Sequence, residues 1–180
     1  MKSTNFPRAA ILFLLVLGAA LTRLLPHPLN FTAIGAMALF GGACLTSGWM
    51  GIALTLAALG ISDLILGSYD LLPVVYASFG LNFLLGRWLR SKRTFTRTTL
   101  ATLAGSVQFF LITNFACWLY YYPHTMEGLQ HCYLLALPFF QNTLLGDLFF
   151  VGALFGAWAL VERFVPAIRE ESRSSATSIV

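Results

Sequence analysis

The sequence predicts an all-α integral membrane protein: six transmembrane helices in a compact bundle, with both termini in the cytoplasm. Of the 180 residues, 58% are hydrophobic and 10% are charged, whereas soluble domains have roughly 45–50% apolar and about 25% charged residues. The mean hydropathy is +0.77. The apolar runs are nearly continuous and lack the period-2 alternation of membrane-spanning β-strands. These observations disfavour a soluble enzyme, a nucleic-acid-binding protein and a disordered chain.

Six apolar runs fit the length of a membrane helix, which needs about 20 mainly apolar residues. In chain order, the predicted spans are residues 9–25, 31–47, 49–66, 73–90, 98–122 and 139–164. The first run resembles a signal peptide, but the spans that follow it and the Pro26-His27-Pro28 stop favour a retained helix. Pro73 suits the first turn of the fourth span. Residues 1–165 thus form a single predicted transmembrane domain.

The last apolar region needs separate treatment because it is too long for one ordinary span. As one helix, the stretch from about residue 131 to residue 164 would be roughly 51 Å long. Pro138 is expected to divide it into a short outer segment, residues 129–137, and the sixth span. The polar tail, residues 166–180, is predicted to be disordered and cytoplasmic.

The distribution of Lys and Arg orients the predicted bundle in the cell inner (cytoplasmic) membrane. With both termini inside, ten basic residues fall on the inner side: Lys2, Arg8, Arg87, Arg90, Lys92, Arg93, Arg97, Arg163, Arg169 and Arg173. The outer loops then hold Arg23 and all three histidines, His27, His124 and His131. The net charge of +4 therefore comes from basic residues at the membrane edge, and no nucleic-acid partner is expected.

Polar side chains inside the predicted spans converge on the outer half of the membrane. Asn82 and Asp147 lie about 13 Å below the outer ends of their spans, and Asn114 lies about 12 Å below. A carboxylate near mid-membrane costs at least ~2.5 kcal/mol, so Asp147 predicts a partner or a wet cavity. With Asn142, these residues are candidate substrate-binding groups, and interhelical hydrogen bonding is the alternative.

A second candidate cluster lies at the predicted outer rim and contains His27, Tyr121, His131 and Cys132. Interfacial anchoring of the aromatic residue and a buried free thiol are the alternatives. Thiolate and imidazole are good transition-metal ligands. Cys132 or His131 is therefore a possible ligand to a metal-bearing vitamin, with Cys117 in reserve, although no resident metal or cofactor is assigned.

The chain lacks the common sequence signatures of catalysis. It has no Gly-rich loop ending in Gly-Lys-Ser/Thr, no His-Glu-x-x-His motif and no Gly-x-Ser-x-Gly motif. No enzyme activity is predicted, and any ATP-driven process would need a partner that supplies the ATPase.

Four segments carry a resemblance to known proteins: residues 23–32 (RLLPHPLNFT), 38–42 (ALFGG), 62–67 (SDLILG) and 136–147 (ALPFFQNTLLGD). Together they resemble an uncharacterised family of bacterial six-span proteins. That family is similar to the substrate-binding S components of energy-coupling factor (ECF) vitamin transporters. The resemblance implies a six-helix protein that holds a vitamin near the outer face and associates with a membrane scaffold and two ATPases. Residues 9–25 lack the Ala-x-x-x-Ala docking motif that many S components carry.

The expected function is therefore that of an S-component-like protein, which binds a vitamin or related micronutrient at an outward-facing cavity for uptake. Cobalamin is one candidate, because it is the vitamin that offers a metal. The alternative is a structural or assembly membrane protein with no small-molecule ligand. The expected partners are the micronutrient, the lipid bilayer and the scaffold with its ATPase subunits.

Overall fold

The computed structural model describes residues 6–45, 48–67 and 69–165. Within these ranges the secondary structure is helical, with no β-strand. The six α-helices are α1 (Phe6–Leu21), α2 (Ile34–Cys44), α3 (Gly48–Leu66), α4 (Leu72–Leu89), α5 (Phe95–Tyr121) and α6 (Met126–Phe164). The all-α class and the order of six helices are confirmed. The predicted disordered tail, residues 166–180, lies outside the described residues.

Local sequence explains where several helices begin and end. Thr94 and Thr125 precede α5 and α6, and their side chains accept hydrogen bonds from Arg97 N and Gly128 N, as N-cap residues do. Pro73 lies in the first turn of α4, as predicted. α3 ends at Gly67, whose φ of 99° is readily adopted by glycine and which donates N–H to Asp63 O.

The short helix α2 lies at the centre of the bundle, in contact with all five other α-helices. All 11 of its residues are buried, as expected for a helix that is apolar on every side. It is about 16 Å long, roughly half the ~30 Å hydrocarbon core of a bilayer. The helix is thus shorter than the predicted span 31–47. Residues 31–33 are not helical, since the chain turns at Asn30, where φ is 65°.

α6 is the longest helix, and it continues through Pro138 without a break. The predicted division into residues 129–137 and 139–164 is therefore absent. Pro138 removes the backbone bond to Leu134 O, but both residues are exposed, so no packed neighbour prevents the helix from accommodating the ring. α5 and α6, with 27 and 39 residues, are both long and apolar enough to cross a membrane.

The bundle exposes many large apolar side chains, and its interior contains two acidic ones. Leu64, Leu134 and Phe149 on the outer surface are 87%, 65% and 60% exposed. Asp63 and Asp147, by contrast, are only 5% and 6% exposed. A buried charged group or a broad exposed apolar surface is unusual in a water-soluble domain. Each therefore indicates a special environment or a binding site.

One end of the bundle gathers basic side chains around the C-terminus of α2. Arg8 Nη2 donates to Cys44 O at 3.3 Å, and Arg90 Nη1 donates to Leu45 O at 2.5 Å. Glu162 on α6 forms ion pairs with Arg8 at 3.7 Å and with Arg93 at 4.0 Å. Cationic groups at a helix C-terminus satisfy carbonyls that have no intrahelical donor. These basic residues therefore complete the fold as well as marking one edge of the bundle.

α2 and α4 approach so closely that glycine is required at their contact. A Cβ at Gly42 would overlap Phe83 O, and a Cβ at Gly86 would overlap Leu39 O. Backbone atoms cannot move aside as a flexible side chain can, so any larger residue must separate the two helices.

We expect Gly86→Ala to lower the free energy of unfolding by about 1–3 kcal/mol, because the added methyl group forces α2 away from α4. Gly80→Ala on the same helix is the matched control, because a Cβ at Gly80 has no neighbour within 4 Å. Helix propensity alone makes that control neutral or more stable by up to about 1 kcal/mol. Unfolding in mild detergent measures both, and equal effects would contradict the close contact.

Candidate functional site

The site begins with the non-helical segment that leads into α2. Asn142 Nδ2 donates to Leu29 O at 3.0 Å, and the ring of Phe31 lies 6.0 and 5.7 Å from those of Phe149 and Phe150. Residues 29–31 therefore run alongside α6. Because α2 starts only at Ile34, the half of the bundle away from the basic end lacks a central helix, and a cavity forms there.

This cavity has a volume of about 300 Å³ and is lined mainly by residues of α4, α5 and α6. The segments before α2 and α4, the first turn of α2 and α3 complete the lining. A second pocket of about 340 Å³ adjoins it. The two share six lining residues: Asn30, Phe109, Thr113, Asn114, Cys117 and Thr143. We call the first the central cavity and the second the side pocket.

Asp147 is the buried acidic group of the central cavity, as its predicted depth suggested. Its Oδ2 accepts a hydrogen bond of 2.7 Å from Ser106 Oγ on α5. Its Oδ1 lies against Gly35 in the first turn of α2. A Cβ at position 35 would overlap this oxygen. No basic side chain in the described ranges forms an ion pair with Asp147. The carboxylate therefore lacks a counter-charge from this part of the chain.

Two of the predicted amides also line the central cavity. Asn82 on α4 is 3% exposed, and its Oδ1 accepts a 3.0 Å hydrogen bond from Gln108 Nε2. Asn114 on α5 uses Nδ2 to bond Phe110 O, one turn earlier on the same helix. These bonds orient the two amides, and both side chains lie at the cavity wall.

An ion pair lies beside the central cavity and joins the short 3-10 turn after α1 (Thr22–Leu24) to α3. Arg23 lines the cavity, and its Nη2 lies 2.7 Å from Asp63 Oδ1. Its Nη1 donates to Ser62 Oγ, while Tyr76 OH donates to Asp63 Oδ2 at 3.0 Å. None of these residues is among the predicted site residues. The available signal was that Arg23 is the single basic residue of the predicted outer side.

Tyr69, in the loop between α3 and α4, is another lining residue that the sequence analysis did not select. Burial and the negative charge of Asp63 raise the pKa of the Tyr69 phenol, while Arg23 acts in the opposite direction. The phenol therefore remains protonated at neutral pH and offers a hydrogen-bond donor to the cavity.

Cys132 lies in the side pocket rather than at an exposed rim. It is 2% exposed, and its Sγ donates to Asn114 O at 3.4 Å. Cys117, the reserve candidate, lines both cavities. Cys132 is thus a small buried group that contacts the backbone of the predicted site residue Asn114.

The other four predicted site residues do not line either cavity. His27 is exposed and makes contacts to the backbone of Arg23 and Pro28. Tyr121 OH donates to Asp70, and exposed His131 lies 6.1 Å from the ring of Tyr122. Asn142 instead anchors the segment before α2. The predicted site residues therefore fall into two groups, those that line a cavity and those that contact loops or the segment before α2.

Among the described residues, no group of three or more His, Cys, Asp and Glu side chains could hold a metal ion. The central cavity combines a carboxylate, amides, a phenol and a paired guanidinium with an apolar wall. Such a set can bind and orient a small polar molecule.

Residues 3–168, nearly the whole chain, match a single family profile. The chain belongs to the family of unknown function DUF6580. No curated protein and no solved structure matches it. The DUF6580 description assigns no activity, so the resemblance to ECF S components stays a prediction.

We expect Arg23→Gln to lower the free energy of unfolding by about 3 kcal/mol, because it leaves Asp63 buried without its cation. The double variant Arg23→Gln/Asp63→Asn should recover most of this loss, since neither charge then remains. Thermal unfolding of the wild-type protein, the two single variants and the double variant gives the coupling energy of the pair in a double-mutant cycle. Additive losses would show that the pair is not coupled.

Proposed function

We propose that this protein is a multi-pass membrane protein whose central cavity binds a small vitamin or related micronutrient from outside the cell for uptake. The observation that carries this proposal is the buried Asp147 carboxylate in a cavity of about 300 Å³, enclosed by a bundle with an apolar exterior. Intramembrane carboxylates usually face a partner or a water-filled cavity with a function.

The exterior supports placement in a bilayer. The exposed residues of α5 and α6 are largely apolar, and both helices exceed the ~30 Å needed to cross the hydrocarbon core. The basic side chains at the C-terminus of α2 form one edge of the bundle, as expected for a cytoplasmic edge. The short α2 and the non-helical segment before it would together cross the membrane, because non-helical backbone is tolerated there when it lines a cavity.

The size and lining of the cavity favour a small solute. Ligand pockets have volumes of about 300–1,000 Å³, mostly apolar walls and a few convergent polar groups. The central cavity is at the lower end of this range. A cobalamin carries a corrin ring and a nucleotide tail and is much larger, so the volume favours another micronutrient. The Cys132 thiol, buried and bonded to Asn114 O, supports the same choice.

Uptake against a gradient would need energy from elsewhere, because the sequence has no P-loop. We therefore propose a membrane scaffold with ATPase subunits as the energy source, as in the ECF transporters that the sequence resembles. The chain itself binds the solute, and we assign it no catalytic step.

Cysteine labelling tests the orientation. In a background whose three native cysteines are replaced by serine, cysteines at His27, Tyr69 and His124 should react with a membrane-impermeant maleimide in intact cells. A cysteine at Lys92 should react only after lysis, because it lies at the basic edge. Labelling at Lys92 in intact cells would reverse the orientation and rule out uptake from this cavity.

Retention of a native ligand tests the cavity. Gently solubilised protein should carry a small molecule that is detectable by mass spectrometry. Thr113→Trp should abolish its retention, because Thr113 lines both pockets and the bulkier indole takes up space that the ligand needs. Phe115→Trp is the matched control on the same helix, since Phe115 is 49% exposed on the outer surface.

The absence of a retained molecule from the wild-type protein would favour a structural or assembly role. Equal retention by Thr113→Trp and Phe115→Trp would place the ligand elsewhere in the molecule.

A further inference from the structure

We infer that the central cavity selects a small organic cation with a flat ring, whose positive group binds the Asp147 carboxylate. This inference rests on the proposed function, because it names the chemical class of the solute bound at the same site. It follows from the charge balance of the cavity, the unfilled bonding capacity of Asp147 and the aromatic wall.

The charge that the cavity leaves available to a solute is negative. Arg23 and Asp147 are the two charged groups among the described residues that line it. The Arg23 guanidinium is already paired with Asp63 at 2.7 Å and also donates to Ser62. Asp147 has no equivalent partner in the described ranges. The cavity therefore presents one uncompensated carboxylate, which disfavours an anionic solute and attracts a cation.

Asp147 also has unused hydrogen-bonding capacity. A carboxylate has about four acceptor positions, yet within the described chain Asp147 accepts one hydrogen bond, from Ser106 Oγ. Oδ1 accepts none there and lies against Gly35 in the first turn of α2. The positive end of the α2 dipole favours the ionised carboxylate but provides no full counter-charge. A bound cation would provide it.

The aromatic wall of the cavity is the reason to expect a flat ring in the ligand. Phe79 on α4 and Phe109 on α5 both line the cavity, and their rings stack with centroids 5.0 Å apart and an interplanar angle of 28°. Aromatic faces attract cations and pack well against planar rings. Asn82, Asn114 and Tyr69 add polar groups around this surface. A planar cation would therefore use both the carboxylate and the rings.

A charge series on one ring tests this inference directly. The probes are nicotinamide, its ring-N-methylated cation and the nicotinate anion, with binding to the purified full-length protein measured by calorimetry. A hydrogen-bonded or ionic contact to a buried charge contributes about 1.5–3 kcal/mol. We therefore expect the cation to bind at least about tenfold more tightly than nicotinamide, and nicotinate to bind most weakly.

Asp147→Asn should weaken binding of the cation by about tenfold while leaving binding of nicotinamide unchanged. The neutral probe thus also reports whether the variant folds. Asp70→Asn is the matched control, because Asp70 is an exposed carboxylate outside the cavity that accepts a bond from Tyr121 OH. It should leave all three affinities within about twofold, since exposed charges are screened.

Equal or tighter binding of nicotinamide or nicotinate to the wild-type protein would overturn the inference. So would failure of all three probes to bind, or an unchanged preference for the cation in Asp147→Asn. If the wild-type protein still retained a native ligand that Thr113→Trp loses, the proposed function would survive any of these results. The proposed function would instead be contradicted if the wild-type protein retained no ligand at all.

Discussion

The burial of α2 is the constraint on which the rest of the structure depends. All 11 residues of α2 are buried, so the backbone groups at its ends depend largely on partners within the protein, and each unsatisfied group costs about 1–3 kcal/mol. Arg8 and Arg90 bond the carbonyl oxygens at its C-terminal end, while the first turn lies against Asp147. Helices α1, α4 and α6 must therefore surround α2 in a particular register.

The same helix divides the bundle into two unlike halves. Around α2 the packing is close, because glycines at its contact with α4 bring the backbones together. Beyond its N-terminus the chain is not helical: it turns at Asn30, and Phe31 N and Thr32 N donate to Pro28 O and Asn30 O. This turn segment lies beside α6 and leaves the centre of that half open. The central cavity occupies the space that a longer α2 would have filled.

The two buried carboxylates illustrate different solutions to one electrostatic problem. Asp63 is neutralised within the protein by Arg23 and bonded by Tyr76, so it joins the turn after α1 to α3 and α4. Asp147 has a hydroxyl partner and the end of a helix dipole, neither of which carries a full charge. The first arrangement stabilises the fold. The second leaves a binding capacity that the cavity can use, and so a polar site can persist inside an apolar bundle.

The sequence by itself determined the all-α class, the number and order of the helices, and the positions of Asn82, Asn114 and Asp147 along their helices. These properties depend on the length of apolar runs and on position along a helix, which are local. Tertiary structure alone decided that α2 is short, that Arg23 pairs with Asp63, and that Asn142 and Tyr121 hold loops instead of lining the cavity. Successive helical residues point about 100° apart. The position of a residue along its helix therefore does not determine which neighbour its side chain contacts. That contact is decided only when the helices pack.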